Sequence, residues 1–309
     1  MLLTKSGPDG PSAHCRVTMR FCRPPPELMR YFASLYHLQV DLPPGEVVSD
    51  YLHPEWGNLR FHNGPVVAAH IKPGSRIAET SFSATGPSAH ATRFSLRASR
   101  IWGIGLLPAG WAKFMRVPAD TMADVVSDGW QNPAFELFRP LAGTVFGTGP
   151  EVDIDAEFAR IIDWFMARID RPLPAEDRII AIHEALFDTE IATVSALADR
   201  VGLSASTVER ICRAAFGFSP KLLLRRQRFA RSLARYMLAG DATWVDSLDD
   251  AYHDQAQFVR EFRAFMGMTP RAYAALDHPI LDAFVRERER LAKAPLQALV
   301  APSGFNPQA

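Results

Sequence analysis

VSALADRVGLSASTVERICRAAFGFSPKLLLRRQRFARSLAR, residues 194–235, decides how this chain is read. Val194, Leu197, Ala198 and Val201 recur at helical spacing and leave Asp199 and Arg200 outward, so the segment opens as a short amphipathic helix. Gly202 is the residue best suited to the left-handed position that ends a helix. Ser204 then supplies a cap for a second helix. That helix runs to about Ala215, burying Val208, Ile211, Cys212 and Ala215 and turning Ser206, Glu209, Arg210 and Arg213 outward. Helix, tight glycine turn and helix with a polar, arginine-bearing face is the pattern of a helix-turn-helix.

The charge around it is concentrated. From Arg200 to Arg235 there are nine cationic side chains against Glu209 alone, in a chain whose formal net charge is zero. Such a segment selects a localised anionic partner. A helix of this kind fits a major groove, where arginine bonds guanine in bidentate fashion. Double-stranded DNA is therefore the expected partner.

Residues 244–273, WVDSLDDAYHDQAQFVREFRAFMGMTPRAY, repeat the plan. A short helix leads to a turn near Ala251 and Tyr252, followed by a helix over about 254–265. Phe258, Phe262 and Phe265 form its buried stripe, and Gln255, Gln257, Arg260, Glu261 and Arg263 its outer face. Both units end alike, in Phe216-Gly217-Phe218-Ser219-Pro220 and Met266-Gly267-Met268-Thr269-Pro270. Each is a glycine stop, a hydroxyl cap and a proline at the first position of the next helix. Between the units, Pro220 to about Ala239 predicts one helix of roughly 30 Å, close to the ~34 Å between successive major-groove faces.

With these motifs in place, residues 177–276 resemble the DNA-binding domain of the AraC/XylS family of bacterial transcription regulators. The resemblance implies base contacts from Ser206, Glu209 and Arg210 in the first unit, and from Gln255, Gln257 and Arg260 in the second. Phosphate contacts are expected from Arg213, Lys221, Arg225, Arg226 and Arg228. The chain departs from the family at Ala251, where glycine is usual, and at Cys212, where phenylalanine is usual. Asp241, Asp246, Asp249, Asp250 and Asp254 form an acidic cluster that opposes phosphate, which makes the first unit the stronger DNA contact.

The rest of the 309 residues is long enough for a second core. After a polar, Gly/Pro-rich leader to about Cys22, read as loosely ordered, a short helix is expected over 27–35. From Tyr36 to about Val117 come short β-branched and aromatic runs: YHLQV, EVVSDYL, NLRFHN, VVAAHI, RIAETSFSATG, TRFSLRA and IWGIGLL. Pro- and Gly-rich turns separate them, which predicts an antiparallel β-sandwich or small barrel. Helices are expected over 119–125, 134–146 and 154–169. The fold class is thus α+β in two domains. Residues 1–170 form a β-rich domain ending in helices, and 171–176 a proline-rich linker. Residues 177–276 form the all-α domain of two helix-turn-helix units joined by a long helix, and 277–309 a tail that starts helical and frays.

DYLHPEWGNLRF and GIGLLPAGWAKF resemble the cupin-like sensor of one branch of AraC-type regulators. That likeness implies a domain that senses a small-molecule effector or forms a homodimer. Trp56 and Trp111, each beside glycine in a turn, are the ligand-pocket candidates. His37, His53, His62, His70 and His90 with Glu46, Glu55 or Glu79 offer iron- or zinc-ligand chemistry, as in a cupin enzyme. No His-x-His pair occurs, however, and no cofactor or catalytic residue is expected. His14-Cys15 is the one sequence-adjacent nucleophile candidate. Cys15, Cys22 and Cys212 are an odd set without metal spacing and fit reduced thiols in a cytoplasm. Residues 1–10 lack a signal peptide's apolar region, and no apolar run reaches membrane-span length.

Overall fold

The structure, a computed structural model, describes residues 15–72, 74–149, 151–238 and 255–292. Eight antiparallel strands form one sheet: β1 (Arg16–Phe21), β2 (Phe32–Asp41), β3 (Val48–Leu52), β4 (Gly57–Ile71), β5 (Arg76–Thr85), β6 (Thr92–Leu96), β7 (Ser99–Leu106) and β8 (Val126–Asp128). The main path runs β1-β2-β7-β4-β5-β8, while β6 joins β4 to β3. The long β4 explains the shape. Its first half, through Asn63, pairs with β7, and its second half, from Ala68, pairs with β6. A register shift on the β5 side between Phe61 and Val66, with Gly64 at φ +110°, bends the strand there. One strand with two successive neighbours curls the sheet into a half-barrel.

Eleven α-helices are described among the same residues: α1 (Pro26–Met29), α2 (Pro108–Phe114), α3 (Arg139–Thr144), α4 (Ile154–Met166), α5 (Glu176–Ala185), α6 (Val194–Arg200), α7 (Ala205–Ile211), α8 (Pro220–Leu238), α9 (Gln255–Met266), α10 (Pro270–Ala274) and α11 (Pro279–Ala292). Strand alternation divides the core into two faces. Phe61, Phe82, Trp102 and Ile104 pack with Phe114, Phe138 and Phe165, in an apolar cluster continuous with Leu197, Phe216, Phe229 and Phe262 of the helical region. Leu38, Ala69, Ile71, Phe94 and Ile101 look the other way, towards Ile280 and Phe284 of α11.

Several expectations change. The leader's Arg16–Phe21 is a strand, because Val17, Met19 and Phe21 alternate against β2. The helix expected over 27–35 shrinks to α1, and β2 begins at Phe32. The separate runs 58–63 and 66–71 are the single bent β4. The helix expected over 119–125 is a 3-10 turn, Ala119–Met122, leading into β8. Asp124 stops it, sitting at φ +56° with its carboxylate accepting from the backbone N–H groups of Ala89 (2.7 Å) and His90 (3.0 Å).

Beyond the helix-turn-helix region, α11 returns to the sheet and packs on β1 and β3. Asp50, buried in β3, caps it: one carboxylate oxygen accepts from the N–H groups of Ile280 and Leu281 (both 2.9 Å), the other pairs with His278 Nδ1 (2.8 Å). The proline-rich stretch before α5 is strapped down as well, through Arg171, which donates to the carbonyls of Lys113 (3.1 Å) and Met115 (3.3 Å).

Candidate nucleic-acid interface and ligand cavity

The first unit is built as its residues dictate. Thr193 caps α6 through the Ala196 N–H (3.1 Å), and Gly202 turns the chain at φ +65°. Ser204 caps α7 through the Thr207 N–H (3.3 Å). Val208, Ile211 and Cys212 are buried, while Ser206 and Arg210 are exposed. Glu209 is engaged by Arg213 at 2.7 Å, one helical turn along, so these two predicted contact residues are paired with each other. Past Ile211 the helix widens into a π turn, Cys212–Phe216, and stops at Gly217, φ +84°.

The second unit's first helix, its turn at Ala251 and Tyr252, and the acidic positions 241–254 lie outside the described residues, as does His14. Its second helix, α9, buries Phe258, Phe262 and Phe265; Gln255 and Arg260 are exposed and Gln257 is half-buried. It ends at Gly267, φ +71°, and Thr269 caps α10 through the Ala272 N–H (3.0 Å). The two units therefore share their punctuation at equivalent places.

Between them α8 spans 19 residues, about 28 Å at 1.5 Å per residue. Its cations do not form one free stripe. Lys221 is exposed. Glu261 of α9, itself buried, takes Arg225 Nε at 3.0 Å and Arg228 Nη2 at 2.7 Å, tying α8 to α9. Arg226, expected among the phosphate contacts, points inward. It is 3% exposed, donates to the carbonyls of Ser88 (2.9 Å) and Glu55 (3.3 Å), and lies over the Trp56 ring at 3.8 Å. The physical reason is the helical period: Arg226 shares the apolar face of Leu223, Phe229 and Leu233, which packs on the sheet. Burial pushes its guanidinium down to about 9, against the opposing pull of Asp124 and Glu55.

Below Arg226 the half-barrel holds a cavity of about 200 Å³. Its walls come from the concave face of the sheet, and its roof from Phe229, Ala230 and Leu233 of α8 with Leu281 and Phe284 of α11. Most of the lining is apolar. One end is polar, where Arg60 pairs with Glu55 and donates to Tyr36 Oη at 3.2 Å. Burial opposes the Arg60 charge, but Glu55 outweighs it and holds the guanidinium protonated. His62 bonds Ser83 Oγ at 2.9 Å and is pushed down to about 3 by burial, with Arg60 adding to the shift. Asn58 Oδ1, His62 Nδ1 and Gln227 Oε1, all in residues lining this cavity, have no hydrogen-bond partner among the described residues. Buried polar atoms are seldom left so.

Trp56 lines this cavity; Trp111 does not. Trp111 belongs to the opposite face, packed edge-on to Phe135 with its indole N–H donating to the Val117 carbonyl (3.0 Å). The histidines are scattered by the strands that carry them. His37 packs on Trp102, His53 bonds Tyr273 Oη (2.7 Å), His90 pairs with Asp124 (3.1 Å) and His70 sits among cations. Among the described residues no three His, Cys, Asp or Glu side chains converge on a metal position. Cys15, Cys22 and Cys212 are free thiols, and burial raises Cys212 to about 12. No described helix is long and apolar enough to cross a membrane.

The polar end of the cavity was not anticipated, although Arg60 inside the apolar strand NLRFHN was a readable signal. The Asp50 cap and the Glu261 clamp left no local signal, since their partners lie 230 and 36 residues away.

Residues 197–275 match a family described as a helix-turn-helix domain, of the AraC type. No curated protein sequence matches the chain. Among solved structures, ToxT from Vibrio cholerae O395 superposes with a TM-score of 0.41 at 11% identity, over 84% of this chain and 97% of that one. ToxT bound to (E)-4-(8-methylnaphthalen-1-yl)but-3-enoic acid gives 0.42 at 10% identity, over 84% and 98%. The AraC-like transcriptional activator CuxR gives 0.29 at 14% identity, over 75% and 91%.

Proposed function

We propose, from the AraC-type helix-turn-helix domain that this chain carries over residues 197–275, that it is a sequence-specific DNA-binding transcription regulator governed by a small molecule in its β-domain. One observation carries the reading: α8 is at once the spacer between α7 and α9 and part of the roof of the cavity. Whatever fills the cavity presses on the element that sets the separation of the two reading helices. Base contacts are assigned to Ser206, Arg210, Gln255 and Arg260, which are exposed, and to the half-buried Gln257. Glu209 has the role of orienting Arg213. Phosphate contacts fall to Lys221 and to Arg213, Arg225 and Arg228, the last two held in place by Glu261; Arg226 is reassigned to the domain contact.

The effector fits the lining: a small, largely apolar molecule with one hydrogen-bonding end that meets Asn58, His62 and Gln227. Because Glu55 already balances Arg60, a neutral polar group suits this end better than a second carboxylate.

Selection of binding sites from random duplexes tests the regulator reading. The wild type should enrich one motif, and Arg210→Ala should cost about 1–3 kcal/mol and relax preference at a single base pair. Failure of the wild type to enrich any motif refutes it.

A further inference from the structure

The β-domain carries a cationic surface of its own. His70 of β4 stands opposite Arg76 of β5 and Arg93 of β6 in register, so three basic residues form one row across three neighbouring strands. Lys72 follows in the adjoining turn. Directly opposed like charges destabilise a sheet, and the structure does not relieve them. Lys72, Arg76 and Arg93 are exposed, and none has a carboxylate partner among the described residues. The row lies on the outer face of the sheet, because the alternate residues Ala69 and Ile71 point into the concave core.

Two shallow grooves run from it. One is floored by Ala68, Ser75 and Ser95 between Arg76 and Arg93. The other passes His70, Lys72 and Arg93 to reach Ala264, Gly267 and Met268 at the end of α9. Among the described residues no carboxylate lines either groove. The join is held firmly, since the Ala91 N–H donates to the Phe265 carbonyl in the last turn of α9 at 2.7 Å. Arg263 and Arg271, exposed on either side of Gly267 in sequence, extend the basic character into the helical domain.

We propose that this row is a DNA-backbone contact supplied by the β-domain: Lys72, Arg76 and Arg93 receive phosphates of duplex that continues beyond the base pairs read by α9. The proposal rests on the regulator reading. Charge complementarity and continuity with the end of α9 select duplex as the occupant. Cross-strand spacing of about 5 Å and the length of arginine side chains suit a run of successive phosphates, which carry one charge per ~3.4 Å of axis along each strand.

The test compares the wild type with a Lys72→Ala, Arg76→Ala, Arg93→Ala triple variant whose thermal midpoint is checked against it. Affinity is followed with salt on two duplexes carrying the selected site. One ends at the outer edges of the motif; the other adds about one helical turn, roughly 10 base pairs, on each side. On the longer duplex the log–log salt slope of the variant should be shallower by roughly 0.9 for each phosphate that it no longer neutralises; on the shorter the two proteins should agree. Arg93→Lys, which keeps the charge, should keep the wild-type slope. Equal slopes on the longer duplex, with a motif still selected, overturn this proposal alone; calorimetric binding of inorganic phosphate by the wild type but not the variant would then assign the row to a small anion. A wild type that selects no motif and binds neither duplex overturns the regulator reading and the β-domain surface together.

Discussion

The guanidinium of Arg226 lies 3.8 Å from the ring centre of Trp56, joining the helix between the two reading units to a turn of the sheet. Stacking and two hydrogen bonds to carbonyls hold the pair, without a carboxylate in direct contact among the described residues. A cation buried in this way costs desolvation, which its pushed-down titration reflects. It persists because guanidinium is planar and weakly hydrated, so one face rests on indole while its edge serves the carbonyls.

Replacing Arg226 by Ala should lower stability by about 1–3 kcal/mol, the cost of leaving buried carbonyls unsatisfied. Arg226→Lys should recover little, because an ammonium cannot stack and reach both carbonyls in one geometry. Denaturant unfolding followed by tryptophan emission measures both; full recovery by lysine would show that charge alone matters.

Removing the Asp50 carboxylate strips α11 of its cap and leaves four groups without their acceptor: His278 Nδ1 and the backbone N–H groups of Tyr51, Ile280 and Leu281. Asp50→Ala should cost on the order of 2–4 kcal/mol and expose α11 to protease while the helix-turn-helix core survives. Cleavage no faster than in the wild type would mean that the apolar contacts of Ile280, Leu281 and Phe284 suffice.

Glu261 sets two expectations against each other. Glu261→Gln removes a negative charge, which on simple electrostatics tightens DNA binding. It also weakens the clamp on Arg225 and Arg228, whose charge-assisted bonds are worth about 1.5–3 kcal/mol each. The clamp should win: the variant unfolds at lower temperature and binds the selected site more weakly. Tighter binding with unchanged melting would assign Glu261 a purely inhibitory charge.

His62 and His183 are both buried, and burial pushes each imidazole down to about 3, with neighbouring Arg60 and Arg226 adding to the effect. In the unfolded chain each titrates near 6.5. Between those values the unfolded state binds more protons, so stability falls as pH drops below about 6.5, by up to ~1.4 kcal/mol per unit for each histidine, and levels off above it. Urea midpoints measured from pH 8 to 4 should show this slope, and His62→Gln or His183→Gln should each flatten it. A slope unaltered in both variants would move the effect to other groups.

Much of the helical domain was legible because its signals are local. Ser204, Gly217, Gly267 and Thr269 act within one helical turn, so their roles follow from neighbours in the chain. The strands were legible by alternation wherever turns set them off. β1 was hidden by the leader before it, although Val17, Met19 and Phe21 alternate; β8 was hidden by a helical context that Asp124 interrupts. The candidate site divides in the same way. Ser206 and Arg210 face outward because a helix period puts them there, whereas the direction of Arg226 depends on a sheet some 170 residues away.

The sequence by itself determined the two helix-turn-helix ends, the long helix between them, the antiparallel strands and the concentration of positive charge. Each of these arises from backbone conformation and side-chain periodicity over a few residues. Only the tertiary structure decided that α8 roofs a cavity, that α11 returns to the sheet under Asp50, that Glu261 claims two arginines, and that Arg76, His70 and Arg93 stand in one row. Those arrangements join residues distant in the chain, and their partners are chosen by packing geometry and by the cost of burying charge unpaired.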